Sequence, residues 1–422
     1  MAFFNSIQER ISYNQGEVRQ THWFSTGNIQ NKLARQFLGG REAIMSTDER
    51  MEKMEGQLGG VRWFNRCLIA CIVLSLGVWF IEESGAEPPT FKFTGGEMDL
   101  QALLDKAPEG AIVVCEQAEP LVVARTITIA KPMTLRGLKA RLPEKLGNTP
   151  LMVVEARGVR LSDLEMHGNH DSVSQKDRAP LIHIKAGEFR VERCKFWDGS
   201  KDGINVTPDD GAGDIVGGVI RDIEGFRMGR DLVSLSGGCG GQRIRNVTVE
   251  NVSLKKGYLR GAVEVSDGAD NIAVRRVRAE DAVYAIDVQD HGAVQKGKPK
   301  PSAPNTNVTV EDVTAVSCKH IIRTANGPLG HANLTLRDFT ARNCTEPVLI
   351  SNTTHVRIKN LTIINEPAAE KPRITLRNCD DVELRNVKII GLKDGAEAVA
   401  KQNSTNVRIE ELTRDDKGAR MQ

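Results

Sequence analysis

The chain has 422 residues, a net charge of +2, and basic residues interspersed with acidic ones. This balance excludes a protein that relies on a strongly basic surface, so we expect no nucleic-acid partner. Aromatic residues make up only 5% of the chain and glycine occurs 39 times, which favours a repetitive, turn-rich β-protein.

An uncharged, apolar segment lies near the N-terminus. Residues 67–81 contain no charged side chain, and residues 63–81 together are about long enough to cross a bilayer as one helix. Basic residues precede this segment and glutamates follow it. The positive-inside rule therefore predicts a cytoplasmic N-terminus and a periplasmic or extracellular main domain. The alternative interpretation is a signal peptide that is cleaved.

The rest of the chain divides around this segment. Residues 1–62 are predicted to be cytoplasmic, either as a partly ordered tail or as a surface for oligomerisation or for an envelope partner. Residues 63–81 are the predicted transmembrane anchor, and residues 82–90 have the composition of a linker. Residues 91–415 are predicted to form the main domain. Its entrance, residues 99–114, has the pattern of a short amphipathic capping helix, a glycine turn and a first strand.

A repeated pattern dominates the main domain. The pattern apolar-x-apolar-x-x-apolar occurs eleven times with a mean period of about 27 residues, and such periods are typical of solenoids. The apolar residues alternate within a copy, which indicates strands rather than helix pairs. We therefore predict coils of three short strands that stack on one another. The copies begin at Met133, Val159, Phe189, Gly218, Val247, Ile272, Val308, Leu334, Val356, Val382 and Val407.

A polar residue precedes most of the later copies. It is usually asparagine, which tolerates the left-handed backbone conformation and can stack its amides in register. The residues at this position are Asn246, Asn271, Asn307, Asn333, His355, Asp381 and Asn406. With this column the sequence resembles the right-handed parallel β-helix proteins of the pectin-lyase-like superfamily. The resemblance covers residues 90–415 and implies an all-β solenoid of about 11 coils, one for each copy of the repeat.

The second strand of each coil carries polar and charged residues on its outward face. Aligning the copies gives an outward column of His183, Asn205, Ser234, Glu264, Asp287 and Arg323. A second column stands two or three residues earlier and contains Asp202, Asp231, Arg260, Tyr284, His320 and Glu346. Trp197 and Tyr258 also lie just before this strand. Carboxylates beside aromatic faces are typical of sugar-binding sites, so we predict a groove for an acidic polysaccharide.

The candidate site residues form two groups. The catalytic candidates carry carboxylate, guanidinium or imidazole groups and are Asp202, Asp231, Glu264, Asp287, Arg323 and His320. The substrate-binding candidates are Trp197, Tyr258, Tyr284, His183, Asn205 and Arg260. The resemblance implies polygalacturonase-like chemistry, for which only Asp202 and Asp231 match, both in degenerate motifs. Pectate-lyase-like chemistry is the other option, with Glu264 and Asp287 as ligands of Ca²⁺ and Arg323 as the base.

Two smaller patterns leave alternatives open. Cys318 and Cys344 hold the same position in successive coils, so they are either stacked buried thiols or an inter-coil disulfide. The loop at residues 167–177 contains His167, His170, Asp171 and Asp177. It is either a metal site or a polar, turn-rich loop.

The sequence thus predicts a membrane-anchored protein outside the cytoplasm that binds an acidic polysaccharide. It would cleave this polymer, as a polysaccharide lyase or a glycoside hydrolase does, or epimerise it. Because the catalytic motifs are incomplete and fold does not determine function, two alternatives remain. One is a glycan-binding solenoid without turnover, and the other is a structural or interaction protein of a cell-envelope complex.

Overall fold

The computed structural model describes residues 87–95, 99–238, 241–291, 294–295, 298–299, 303–325 and 329–415. The predicted cytoplasmic segment at residues 1–62 and the predicted anchor at residues 63–81 lie outside these ranges, as does most of the linker at residues 82–90. Within these ranges no helix has the length and apolarity that a membrane crossing requires. The anchor therefore stays a prediction from the sequence.

Two parallel sheets form the walls of a solenoid. Sheet 1 has 16 strands, numbered in chain order over the whole molecule: β1 Thr90–Phe93, β2 Ile112–Cys115, β3 Leu121–Val122, β5 Thr134–Arg136, β6 Lys139–Arg141, β8 Arg160–Ser162, β9 Glu165–His167, β11 Phe189–Trp197, β13 Ile215–Met228, β15 Ile244–Gly257, β17 Ala269–Glu280, β21 Asn305–Val316, β23 His331–Arg342, β25 Thr353–Ala369, β27 Asp380–Leu392 and β29 Thr405–Asp415.

Sheet 2 has 11 strands, and each belongs to the coil of a sheet 1 strand. They are β4 Ile127–Ile129, β7 Met152–Val154, β10 Ile182–Ile184, β12 Ile204–Val206, β14 Val233–Ser236, β16 Val263–Ser266, β18 Tyr284–Gln289, β22 His320–Ala325, β24 Val348–Ser351, β26 Ile374–Arg377 and β28 Val399–Gln402. Outside the two sheets, β19 (Val294–Gln295) and β20 (Lys298–Pro299) pair as an antiparallel hairpin.

The predicted three strands per coil are present, but two of them are joined in most coils. A long sheet 1 strand bends at one residue in the left-handed backbone region, such as Asp312 (φ 54°) or Asn360 (φ 58°). This residue lies between the second and third apolar positions of the repeat, which explains the two-residue gap in the pattern. In an early coil the two pieces are separate strands, β8 and β9, and both pair with the long strand β11.

The apolar positions of the repeat form the core. In β21, Val308, Val310 and Val313 are each at most 2% exposed. They are in register with Leu334, Leu336 and Phe339 of the next coil. Each valine buried in this way stabilises the fold by roughly 1.5 kcal/mol or more relative to an exposed position. The core is therefore a continuous stack of aliphatic rows rather than one central cluster.

Turn residues form hydrogen-bonded ladders along the solenoid. Asn333 has a φ of 59° and donates from Nδ2 to Oδ1 of Asn307 at 3.0 Å, so the predicted asparagine column is confirmed. Two further ladders were not predicted. In one, Asn386 donates to Asn360 at 2.8 Å, and in the other, Asn378 donates to Asn352 at 2.9 Å. At these corners the left-handed backbone of one coil is therefore tied to the next by side-chain hydrogen bonds.

The structure also decides between the two alternatives for the stacked cysteines. Cys318 and Cys344 are free, buried thiols, so the stacked-thiol alternative is confirmed and the inter-coil disulfide is not formed. Burial raises the pKa of Cys344 to about 12. A thiol with such a pKa carries almost no thiolate at neutral pH and is inert.

The entrance of the solenoid contains the predicted helix. Helix α1, Leu100–Lys106, is capped by the Asp99 side chain and buries Leu100 and Leu104. Strand β1 precedes this helix and pairs with β2, so the first strand comes earlier than predicted. The main path through sheet 1 includes 13 strands, which gives about 12 turns instead of the 11 copies in the sequence.

Candidate functional site

The predicted outward column is present in the register of sheet 2. Asn205 pairs with Ser234, Ser234 with Glu264, and Glu264 with Asp287. His183 extends the column at one end and Arg323 at the other. Strands in register are about 4.8 Å apart, so residues far apart in the sequence become neighbours.

Four acidic side chains form what we call the carboxylate column: Asp202, Asp231, Glu264 and Asp287. Each of them is at most 1% exposed. The expectation of an open groove lined by these carboxylates is therefore wrong. Arginine side chains lie over them, because buried carboxylates need charged hydrogen-bond donors that the strands themselves do not supply.

Asp202 and Asp231 lie at the start of adjacent strands. The backbone N–H of Asp231 is 3.3 Å from Oδ1 of Asp202. Oδ1 of Asp231 accepts a hydrogen bond from the Tyr284 hydroxyl at 2.7 Å, and Oδ2 lies 3.4 Å from Nη1 of Arg260. Burial, together with the charges of Glu264 and Asp202, raises the pKa of Asp231 well above its usual value. Burial also raises the pKa of Asp202.

Glu264 lies at the centre of the column. Its Oε2 accepts a hydrogen bond from the Ser234 hydroxyl at 2.8 Å, and its Oε1 accepts one from Nη1 of Arg260. Nη2 of Arg230 lies 3.7 Å from Oε2. Arg230 is also 3.5 Å from Asp202 and 3.8 Å from Asp231, so one guanidinium serves three carboxylates.

Asp287 and Arg323 form a bidentate pair at the far end of the column. Nε of Arg323 donates to Oδ1 at 3.0 Å and Nη2 donates to Oδ2. The guanidinium also lies over the ring of Tyr284, 5.0 Å from its centre. Burial raises the pKa of Asp287, although Arg323 acts in the opposite direction. Arg323 thus stabilises a buried charge, which does not fit the free base proposed from the sequence.

The aromatic candidates do not form one wall. Tyr284 is 0% exposed and packs beneath Arg323, so it cannot stack on a sugar in this arrangement. Trp197 ends β11 in sheet 1 and stacks on His167 at 4.5 Å. Tyr258 is 37% exposed and stacks on His170 at 4.3 Å. Of the three, Tyr258 has the most direct access to a ligand.

The remaining candidates lie at the edges of the column. Asn205 donates to Oδ2 of Asp202 at 3.4 Å and so fixes that carboxylate. Burial lowers the pKa of His183. Burial also lowers the pKa of His320 to about 4, and its Nδ1 is 2.5 Å from the carbonyl oxygen of Glu346. His320 is 1% exposed, which indicates a structural contact rather than the predicted catalytic one.

A basic cleft of about 480 Å³ lies beside the carboxylate column. Its charged lining residues are Lys176, Arg178, Lys201, Arg230 and Arg260, and the described residues that line it include no carboxylate. Nε and Nη1 of Arg178 have no hydrogen-bond partner in the described part of the chain. Sequence reasoning found only Arg260 among these five as a site residue. The sequence does contain a signal for this cleft, since a basic residue stands three or four positions before each of four successive sheet 2 strands.

His291 and Asp267 were also missed. Nδ1 of His291 is 2.8 Å from Oδ2 of Asp267, and its Nε2 is 3.6 Å from Oε1 of Glu264. His291 follows β18 and immediately precedes the long insertion, where the repeat gives no alignment. The backbone of β19 and β20 forms a hairpin in that insertion.

The carboxylates do not fit a Ca²⁺ site. Oε1 of Glu264 and both oxygens of Asp287 are held by arginines, so the ligands proposed for Ca²⁺ are already paired. Throughout the described ranges, no group of three or more histidine, cysteine, aspartate or glutamate side chains is arranged to hold a metal. This also applies to the loop at residues 167–177, where Arg227 pairs with Asp171. The polar-loop alternative accounts for this segment.

Comparison with known proteins supports the fold. No protein-family model and no curated protein sequence matches the chain. Among solved structures, the chain is similar to the A-module of the Azotobacter vinelandii mannuronan C-5 epimerase AlgE4, with 12% identity and a TM-score of 0.56 over 72% of this chain and 87% of that one. It is also similar to the A-module of AlgE6 from the same organism, with 14% identity and a TM-score of 0.50 over 74% and 93%.

At these identities the likeness concerns the fold alone. It agrees with the strand order, in which parallel strands of successive coils pair in both sheets. The chain therefore has the parallel β-helix fold that these two structures share.

Proposed function

We propose that the chain binds an acidic polysaccharide in the basic cleft and transfers protons on it through the carboxylate column. The observation that carries the binding proposal is the charge of the cleft. Five cationic side chains line it, and none of the described lining residues is acidic. An anionic ligand is attracted to a surface of this charge, whereas a neutral one gains nothing from it.

The spacing of the cations favours a polymer. Arg178, Lys201, Arg230 and Arg260 precede four successive strands of sheet 2, so they repeat about every 4.8 Å along the solenoid. A polysaccharide with one carboxylate on each sugar presents negative charges at a similar repeat. Arg178 is one of these lining residues, and a guanidinium suits a planar carboxylate, which can accept two parallel hydrogen bonds from it.

The column beneath the cleft favours proton transfer over hydrolysis. An inverting hydrolase needs room for a water between two carboxylates that are roughly 6.5–9.5 Å apart. Asp202 and Asp231 are instead buried on adjacent strands, with the Asp231 N–H against the Asp202 carboxylate. Burial raises the pKa of Asp231, which favours the protonated form of this carboxyl. The similar structures include mannuronan C-5 epimerases, which supports a polysaccharide-directed activity.

Calorimetric titration of the full chain tests the binding step. We expect binding of polyuronate oligomers, including mannuronan, and no binding of a neutral glucan of equal length. Arg178→Ala should weaken binding about tenfold or more, because a charge-assisted hydrogen bond contributes roughly 1.5–3 kcal/mol. The matched control is Arg342→Ala, an exposed arginine at the end of β23.

Equal affinity for the neutral glucan, or an Arg178→Ala variant that binds as tightly as the parent, would contradict the proposal. Binding without any change in the polymer would favour the non-catalytic glycan-binding alternative. Absence of any glycan binding would favour the structural or envelope-complex alternative.

A further inference from the structure

We infer that His291 and Asp267 form a proton-transfer pair at the edge of the carboxylate column, with His291 as the catalytic base and Asp267 as its positioning residue. This inference rests on the proposed function, because it assigns a group to the proton transfer suggested there. Neither residue belongs to the motifs that carried the resemblance.

Asp267 holds the imidazole in one orientation. Its Oδ1 accepts a hydrogen bond from the His291 backbone N–H at 2.8 Å, and its Oδ2 lies 2.8 Å from Nδ1 of the ring. The Ser236 hydroxyl donates to the same Oδ2 at 3.2 Å. Asp267 is itself 7% exposed, so this carboxylate is fixed from several sides. Since a carboxylate accepts, Nδ1 carries the hydrogen and Nε2 has the lone pair that can accept a proton.

Nε2 points to the functional groups of the site. It lies 3.3 Å from Nη2 of Arg260 and 3.6 Å from Oε1 of Glu264. Neutral His291 accepts from Arg260, and protonated His291 pairs with Glu264, so both protonation states have a partner. The side chain is 36% exposed and contacts Arg260, which lines the basic cleft.

The charges around His291 support a role in proton transfer. Asp267 holds Nδ1, while Glu264 and Arg260 face Nε2, and Asp287 is the register neighbour of Glu264. Burial lowers the pKa of His291, but the hydrogen bond and the charge of Asp267 raise it more, so the pKa lies above its ordinary value. The acidic neighbours thus favour the protonated ring, which is the form that a base takes once it has accepted a proton.

The step that this geometry supports removes the ring hydrogen next to a uronate carboxylate. Nε2 forms an N–H bond as the C–H bond breaks, and the electron pair moves into the carboxylate, whose charge Arg260 balances. Return of a proton to the carbon exchanges the hydrogen with solvent. Alternatively, the neighbouring glycosidic C–O bond breaks and the proton on Nε2 passes to the leaving oxygen, which gives an unsaturated end without consuming water.

Hydrogen exchange in D₂O tests this assignment. The full chain is incubated with mannuronan and polygalacturonate oligomers, and deuterium at the ring carbon and unsaturated ends are followed by NMR, with binding measured in parallel. His291→Gln should slow exchange about 100-fold or more, the usual contribution of a general base, while binding changes little. The matched control is His355→Gln, which removes a similar His–Asp pair, 2.7 Å from Asp381, on a distant exposed turn.

The Asp267→Asn variant distinguishes a positioning role of Asp267 from a purely structural one. Without the Asp267 charge the pKa of His291 should fall, so the pH profile of the remaining exchange should move to lower pH. A structural role would lower the rate at all pH values without moving the profile. The titration of the His291 ring in the parent, followed by its Cε1–H signal, should shift when the polyuronate binds.

The outcomes distinguish the two proposals. Binding without exchange in the parent, or exchange that His291→Gln leaves unchanged, overturns the assignment of the base and leaves the binding proposal intact. Absence of polyuronate binding overturns the proposed function and this inference together. Exchange that falls only in the His291 and Asp267 variants, and not in the His355 variant, supports both.

Discussion

The two sheets of the solenoid carry charged columns of opposite design. On the outer face of sheet 1, six residues in register alternate in sign over successive coils, and we call them the alternating ladder: Glu192, Arg221, Glu250, Arg275, Glu311 and Arg337. Its arginines are 41–50% exposed. On sheet 2, the carboxylate column places Glu264 directly opposite Asp287, and both are buried.

The same strand spacing therefore serves two purposes. Opposite charges on neighbouring strands stabilise a sheet by a few tenths of a kcal/mol per pair, whereas like charges directly opposite destabilise it. The alternating ladder follows this rule and needs no further explanation. The carboxylate column breaks it, and each of its members requires an arginine to remain buried. Such a cost at one place in a regular fold indicates a functional site.

The largest effect on folding should come from removing an arginine of the column. Arg323→Ala leaves the buried Asp287 without either of its guanidinium bonds and should destabilise the protein by about 3 kcal/mol. Arg337→Ala, the matched change in the alternating ladder, removes an exposed ion pair with Glu311 and should cost less than about 1 kcal/mol. Urea unfolding at pH 7 measures both, and equal losses would show that the two columns do not differ.

The two columns should also differ in how they make the stability of the protein depend on pH. The pKa of Asp231 is raised by burial and by Glu264 and Asp202, so the folded state holds this proton more tightly than the unfolded chain does. Its contribution to stability is therefore fully present below the unfolded pKa and is lost as pH rises through the folded pKa. Asp231→Asn removes this loss and should stabilise the protein at pH 7 by on the order of 1 kcal/mol.

The stabilising effect of Asp231→Asn should shrink as the pH falls towards 4, which urea midpoints across this range measure. The control Glu311→Gln removes a carboxylate of the alternating ladder and should lower stability slightly at pH 7. A stability gain of Asp231→Asn that does not depend on pH would contradict the raised pKa.

The register of both columns could be predicted from the sequence, but their burial could not. A constant repeat determines which residues become neighbours, and so Glu264 and Asp287 were aligned correctly. Burial depends on where Arg230, Arg260 and Arg323 place long, flexible side chains, which the repeat does not encode. Tyr284 was misjudged for this reason, because Arg323 covers it.

Residues where the repeat is interrupted were the hardest to predict. Lys176 lies in a loop that lines the basic cleft, and His291 precedes an insertion, so no neighbouring copy of the repeat indicates where these two residues lie. The two further turn ladders were missed for other reasons. The left-handed residues of one ladder are Asp312, Asn360 or Glu411 in different coils, and a mixed column is less visible than a row of asparagines. The other ladder is a short run of asparagines, Asn352, Asn378 and Asn403.

The smallest expected effect is the response of the two columns to salt. At about 1 M ionic strength the Debye length falls to about 3 Å, which screens exposed ion pairs but hardly affects buried ones. The difference in urea midpoint between Arg337→Ala and the parent should therefore nearly vanish in 1 M salt. The difference caused by Arg323→Ala should persist, because Asp287 is 0% exposed and its attraction to Arg323 acts through protein rather than solvent. If salt reduced both differences equally, the carboxylate column would be open to solvent and its raised pKa values would lose their physical cause.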